Sequence, residues 1–133
     1  MKKKFTQIVN RLLLITALCS ILPANIWAQA DVWDGITIAT AFASGDGSPG
    51  TPYEINTGAQ LAYLQQIVET DNATYSAKNY KLTNDIDLNN KSWTPIGSSS
   101  SPFKGNFDGD NHIVSNLYVP NSGTASSCAG LFG

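Results

Sequence analysis

The chain of 133 residues carries 8 Lys and Arg against 10 Asp and Glu, a formal net charge of −2. It offers no basic stripe for a phosphate backbone, which argues against nucleic-acid binding. Ser, Thr, Asn and Gly are abundant, and aromatic residues make up 10% of the chain. This composition favours an extracellular β-rich module over a disordered tail.

The first thirty residues predict a signal peptide. Four cations lie within residues 1–11, an apolar run follows over residues 12–22, and Ala28-Gln29-Ala30 has the small residues that a signal peptidase accepts. We predict cleavage after Ala30, with Ala28 as the alternative. The run is shorter than the roughly 20 residues that cross a bilayer, so no transmembrane span is expected after cleavage. Lipidation at Cys19 is disfavoured because apolar residues continue beyond it.

The remaining residues, 31–133, are expected to form one small domain that is acidic. Cleavage removes all four leader cations and leaves four lysines against ten acids, a net charge of −6. Cys128 is then the only cysteine, so an internal disulfide is excluded. We expect it to pack as a small hydrophobic side chain, with a reactive thiol or an intermolecular bridge as the alternatives.

In chain order, Trp33 is an early aromatic anchor, and alternation over residues 36–42 predicts a first strand. Residues 44–52 are dense in Gly and Pro and predict a loop. One helix follows: Thr57 is a suitable N-cap with Gln60 at capping-box spacing. The helix should end near Thr70, because residues 70–76 are rich in turn formers and predict a turn. Its apolar residues recur at helical spacing and predict a core face: Leu61, Leu64, Ile67 and Val68.

Beyond the helix the apolar period becomes two. The sets expected to face the core are Tyr80, Leu82, Ile86 and Leu88, then Phe103 and Phe107, then Ile113, Leu117 and Val119. Between the last two sets, residues 108–111 predict a turn in which Asp108 and Asp110 bond to backbone amides. The apolar segments recur about 20–25 residues apart, which suits the stacked turns of a solenoid. Because the chain stops within such a segment, we expect it to be the N-terminal part of a longer protein or a solenoid that is truncated early.

Four segments resemble the leading part of bacterial surface proteins that carry GLUG-motif repeats. They are "GTPYEINTGAQLAYL", "YKLTNDIDLNNKSWTPIG", "FKGNFDGDNHIVSNLYV" and the terminal "AGLFG", in which residues 130–133 match the motif itself. The resemblance covers residues 33–133 in the family's order. One departure is Asn111, where the family tends to have glycine; asparagine is the next most tolerant residue at positive φ.

The resemblance implies a mainly β fold, a right-handed parallel β-helix that is entered through one short capping helix. It also implies secretion or surface display, commonly in bacteria of the Bacteroides type. Related repeats occur in adhesin-like proteins and beside the peptidase domain of immunoglobulin A-specific metallopeptidases. That chemistry needs an H-E-x-x-H zinc motif, and this chain has one histidine. The peptidase activity is therefore not transferred.

Polar residues between the apolar sets raise three chemical alternatives. Asp108 and Asp110 resemble the start of a calcium loop, but Ile113 and Val119 occupy its glycine and glutamate positions. His112 lacks a second histidine for zinc. Asp85 and Asp87 lie two apart on one strand, a spacing open to acid catalysis on a sugar, although a simple solvent face explains it as well.

Trp33, Trp93 and Tyr118 are candidates for stacking on sugars, with partly buried packing as the alternative. We therefore expect no catalytic, cofactor or metal site, and a noncatalytic surface module that binds an extracellular glycan or a host protein. The alternatives are an accessory region of a secreted peptidase, a β-helix polysaccharide-degrading enzyme, and a cap that closes a longer solenoid.

Overall fold

The computed structural model describes residues 29–120 and 129–133. The predicted signal peptide, apart from its last two residues, and both cysteines lie outside the described residues. The strands and helices, in chain order, are β1 (Asp31–Val32), β2 (Tyr53–Ile55), α1 (Gly58–Thr70), α2 (Asn72–Tyr75), β3 (Asn79–Leu82), β4 (Ile86–Asp87), β5 (Asn106–Asp108) and β6 (Val114–Ser115).

The strands form two sheets of three strands, and every pairing between them is parallel. One sheet has the order β1-β4-β6 and the other β2-β3-β5. Tyr53 pairs with Tyr80 and Tyr80 with Phe107, at equal separations along the chain, and Ile86 pairs with Val114 at nearly the same separation. From β3 onward, each successive circuit of the chain, which we call a pass, thus adds one strand to each sheet. The passes are slightly longer than the sequence spacing predicts, and the right-handed parallel β-helix stays a prediction.

Strand β1 was not predicted, and it precedes the strand that was. Asp31 donates its backbone N–H to Asp85 O at 2.9 Å, and Trp33 donates to Asp87 O at 2.9 Å. Residues 36–42, predicted as the first strand, form none. The Asp34 carboxylate accepts from the backbone N–H groups of Ile36 and Thr37 and turns the chain there, which leaves Ile36 82% exposed.

Helix α1 begins and ends where the sequence predicts. Thr57 Oγ1 accepts from Gln60 N at 3.2 Å, while Gln60 Oε1 accepts from Asn56 N at 2.8 Å, a capping box displaced by one residue. The predicted apolar stripe is buried. Helix α2 is an addition, because the sequence predicted only a turn there; the Asp71 carboxylate accepts from Thr74 N at its start.

The core joins α1 to both sheets. Its fully buried aliphatic side chains are Ile55, Leu61, Leu64, Val68, Leu82, Ile86, Leu88 and Ile96. Trp33 and Trp93 add an edge-to-face pair whose ring centroids are 5.6 Å apart. Gly58 lies directly against Trp33, since a Cβ at Gly58 would collide with the Trp33 Cβ. The first turn of α1 and Trp33, the residue that follows β1, therefore fit together only because Gly58 lacks a side chain.

The stretch 103–119 follows the prediction at three of its five apolar positions, Phe103, Phe107 and Val119. Phe103 and Phe107 pack against the core as expected, and β5 and β6 join different sheets rather than forming a hairpin. The prediction that Ile113 and Leu117 face the core is wrong, since they are 63% and 39% exposed. Val114 packs inward instead, one position later than predicted, and Val119 also reaches the core.

A turn at positive φ explains this shift. Asp110 and Asn111 have φ of 43° and 64°, so Asn111 takes the left-handed conformation expected for it. Two consecutive residues outside extended geometry break the alternation of side chains, so Val114 packs inward. Asn116, at φ of 53°, interrupts the alternation again, and Val119 packs inward as predicted.

Candidate functional site

The two acids on strand β4 and its N-terminal flank alternate with buried side chains, as predicted. Ile86 and Leu88 have no exposed surface, whereas the carboxylates of Asp85 and Asp87 point away from the core. Asp85 Oδ1 accepts from Ile113 N at 3.0 Å and lies 3.1 Å from His112 Nδ1. The Ile113 N–H, and secondly the His112 side chain, lower the pKa of Asp85 below its ordinary value.

Asp87 also has partners on its own turn and on the next pass. Its Oδ1 accepts from Asn89 N at 2.7 Å and from Asn116 Nδ2 at 2.8 Å. The two acids considered as a catalytic pair therefore each bond to the following pass of chain.

The acids of the turn after β5 behave differently from each other. Asp108 Oδ1 accepts from Asp110 N at 2.9 Å, which confirms its predicted role in the turn. Asp110 instead forms an ion pair with Lys81, with Nζ 2.9 Å from Oδ2. This contact, more than the surrounding charges, raises the pKa of Lys81. Within residues 29–120 and 129–133, no group of three or more His, Cys, Asp and Glu side chains is arranged to hold a metal ion.

Three contacts thus connect one pass to the next on the outside of the sheets. We call this set the cross-pass row: Lys81–Asp110, Asp85–His112 and Asp87–Asn116. Sequence spacing identified its three acids, but only the pairing of β3 with β5 and of β4 with β6 brings their partners to them. The row holds polar side chains in fixed positions on a partly exposed surface.

The pKa of Asp85 tests this arrangement. Because the Ile113 amide is the larger cause, we expect His112→Ala to leave the pKa of Asp85 depressed, as measured by carbon-13 NMR titration of the carboxylate. A depressed folded-state pKa stabilises the protein above the ordinary value of 3.8, and that stabilisation is lost as pH falls through the folded-state value. Asp85→Asn should therefore destabilise at neutral pH and make little difference in acid, once the carboxylate is protonated in both states. A return of the Asp85 pKa to its ordinary value in His112→Ala would contradict the assignment.

The aromatic candidates for sugar stacking are placed unevenly. Trp33 and Trp93 are 7% and 2% exposed, and their indole N–H groups donate to Thr37 O and Leu131 O. They are packing residues, which leaves Tyr118, 51% exposed, as the candidate that reaches solvent. Sequence analysis missed a second aromatic group, Phe42, Tyr53, Tyr63 and Tyr75, which lines a cleft of about 220 Å³. These side chains come from a loop, a strand and two helices, and no spacing rule joins them.

Comparison with known proteins gives two distant and partial relatives. No protein-family model matches the chain, and no solved structure matches it. Halomucin of Haloquadratum walsbyi is 39% identical over 110 residues, which cover 73% of this chain and 1% of halomucin. A protein of Evansella cellulosilytica, provisionally named as a Gly-rich membrane protein, is 26% identical over 95 residues, which cover 71% of this chain and 11% of that protein.

The chain therefore spans a small fraction of either relative. Their names are those of a mucin and a membrane protein, which agrees with a surface-associated class of protein. Neither relative carries the GLUG designation or belongs to Bacteroides. Over residues 29–120 and 129–133, no helix has both the length and the apolar character needed to cross a bilayer.

Proposed function

We propose that this chain is a secreted or cell-surface, noncatalytic module that binds an extracellular glycan or a host protein, and that its passes belong to a β-solenoid. The observation that carries the proposal is the parallel pairing of successive passes at a nearly constant separation along the chain. Such stacking builds an extended surface from a short chain, and extended surfaces suit extended partners.

The use of the acids supports a binding role over a catalytic one. Asp85, Asp87, Asp108 and Asp110 each bond within the protein. The cross-pass row stiffens the surface, and a rigid surface loses less entropy when a partner binds. The predicted export signal and the two relatives support an extracellular or cell-surface location.

A binding screen tests the proposal. The purified chain, beginning at Asp31, is applied to a glycan array and to immobilised extracellular-matrix proteins, and we expect concentration-dependent binding to at least one class. The same preparation is incubated with polysaccharides while reducing ends are measured. Absence of binding to every surface would overturn the binding role. Polysaccharide cleavage that Asp85→Ala or Asp87→Ala abolishes, with the fold retained by circular dichroism, would replace it with an enzymatic one.

A further inference from the structure

A cleft on the α1–α2 side of the molecule has four aromatic side chains in its lining. Its walls come from the loop that precedes β2, from β2 itself and from both helices, and they consist of aromatic, hydroxyl and small side chains: Thr40, Ala41, Phe42, Ser44, Gly45, Tyr53, Tyr63 and Tyr75. Its volume of about 220 Å³ lies below the roughly 300–1,000 Å³ of clefts that hold drug-sized ligands. The cleft is thus sized for one small ring.

The aromatic side chains form a continuous row. Ring centroids are separated by 5.2 Å from Tyr63 to Phe42, 4.6 Å from Phe42 to Tyr53 and 6.2 Å from Tyr53 to Tyr75. Buried Tyr80 supports the row, with its ring 5.6 Å from both Phe42 and Tyr53. Its hydroxyl donates to Tyr75 O at 2.6 Å, which ties the end of α2 to the sheet. The row is therefore built before any ligand arrives.

Three tyrosine hydroxyls of the cleft are open to a ligand. Among the residues that the structure describes, the side-chain hydroxyls of Tyr53, Tyr63 and Tyr75 have no hydrogen-bond partner, in contrast to the hydroxyl of Tyr80. Burial raises the pKa of Tyr53, so this hydroxyl remains a donor at neutral pH. All three side chains are half-buried, and each hydroxyl can both donate and accept.

The charge of the lining narrows the class of ligand. The lining contains neither a lysine or arginine to hold an anion nor a carboxylate to hold a cation. A purely apolar ligand would leave the tyrosine hydroxyls without partners, which is unfavourable in a desolvated cleft. A neutral sugar ring suits both the uncharged lining and the tyrosine hydroxyls. Its C–H face packs on aromatic rings, and its hydroxyls exchange hydrogen bonds with the tyrosines.

We infer that this aromatic cleft binds one neutral pyranose ring of an extracellular glycan. The inference rests on the proposed function in its glycan form and locates the contact at Tyr63 and Tyr75, away from the cross-pass row. Binding of a single ring at a preformed site of this size is expected in the millimolar range.

Ligand-observed NMR on the chain from Asp31 provides the test, with methyl glycosides of glucose, galactose, mannose and N-acetylglucosamine as probes. We expect saturation transfer to at least one glycoside. Tyr63→Ala and Tyr75→Ala should weaken it about tenfold, which is the loss of one aromatic contact. Tyr63→Phe and Tyr75→Phe keep the ring and remove the hydroxyl, and should weaken binding roughly two- to tenfold. These two phenylalanine variants also allow the test to be made if an alanine variant does not fold.

Tyr118→Ala tests the competing candidate for sugar stacking, because Tyr118 is an exposed tyrosine that does not line the cleft. It should bind as the unmodified chain does. The inference would be overturned if the cleft variants bound glycosides as well as the unmodified chain does, or if only Tyr118→Ala lost binding. It would also be overturned if saturation transfer reached tetramethylammonium and no glycoside. If the array still shows glycan binding that the cleft variants leave unchanged, the proposed function stands and the cleft assignment alone fails.

Discussion

Ile86→Ala is expected to lower the free energy of unfolding by about 2–5 kcal/mol, the cost of removing a fully buried aliphatic side chain. Ile86 has no exposed surface and lies on β4, the central strand of its sheet, between β1 and β6. The cavity cannot close easily, since the backbone on both sides is held by parallel pairing. Urea unfolding of the chain from Asp31, followed by circular dichroism, measures the change as a lower midpoint at unchanged slope.

Ile113→Ala is the matched control on the neighbouring pass. Ile113 is 63% exposed, so the same truncation should change stability by no more than about 0.5 kcal/mol. The pair of variants also tests the turn geometry, because sequence alternation predicts that both isoleucines face the core. Equal destabilisation would show that Ile113 is buried, and that the strand after the turn runs in the phase that alternation predicts.

The parts of the fold that the sequence predicts correctly are those that depend on local interactions. Helix α1 satisfies its own N-terminus through Thr57 and Gln60 and shows its buried face as a helical period, so both of its ends could be predicted. The burial of Ile86 and Leu88 followed in the same way from a period of two. Neither prediction requires knowledge of the neighbouring pass.

The errors arise where a side chain or a turn overrides the local pattern. Alternation over residues 36–42 is present, yet the Asp34 carboxylate captures the amides of Ile36 and Thr37 and prevents a strand. Strand β1 is very short and pairs with β4, beyond both helices in the chain, so no local window of sequence contains its partner. The turn at Asp110 and Asn111 was predicted, but its effect on the phase of the next strand was not.

In the candidate site, too, local features were predicted and contacts between passes were not. The outward direction of Asp85 and Asp87 follows from the strand period, whereas their contacts with His112 and Asn116 depend on a register that the sequence does not reveal. The aromatic cleft is a stronger case, because its walls are assembled from segments between Thr40 and Tyr75 that carry no shared motif. Trp33 and Trp93 were candidates for a sugar contact, and both are buried in the core instead.

Gly45→Ala is expected to destabilise the protein by about 2–4 kcal/mol, because two independent costs coincide at this position. Gly45 has φ of +90°, a conformation that L side chains rarely adopt. A Cβ here would also collide with Pro52 O and lie 2.6 Å from Pro52 C, which are backbone atoms that cannot rotate away. Relieving this collision requires moving the loop that precedes β2. The loop is held against β2, because Ala43 N–H donates to Glu54 O and Glu54 N–H donates to Ser44 O.

Gly50→Ala in the same loop is the matched control, since a Cβ there would meet nothing within 4 Å. Its stability should be unchanged or raised by up to about 1 kcal/mol, because alanine reduces the freedom of the unfolded chain. Thermal unfolding of both variants gives the comparison. Gly45 also lines the aromatic cleft, so displacement of its loop should weaken glycoside binding in Gly45→Ala and leave it intact in Gly50→Ala. Similar melting temperatures for the two variants would show that the loop accommodates a side chain at Gly45, and that it does not hold the cleft wall rigidly.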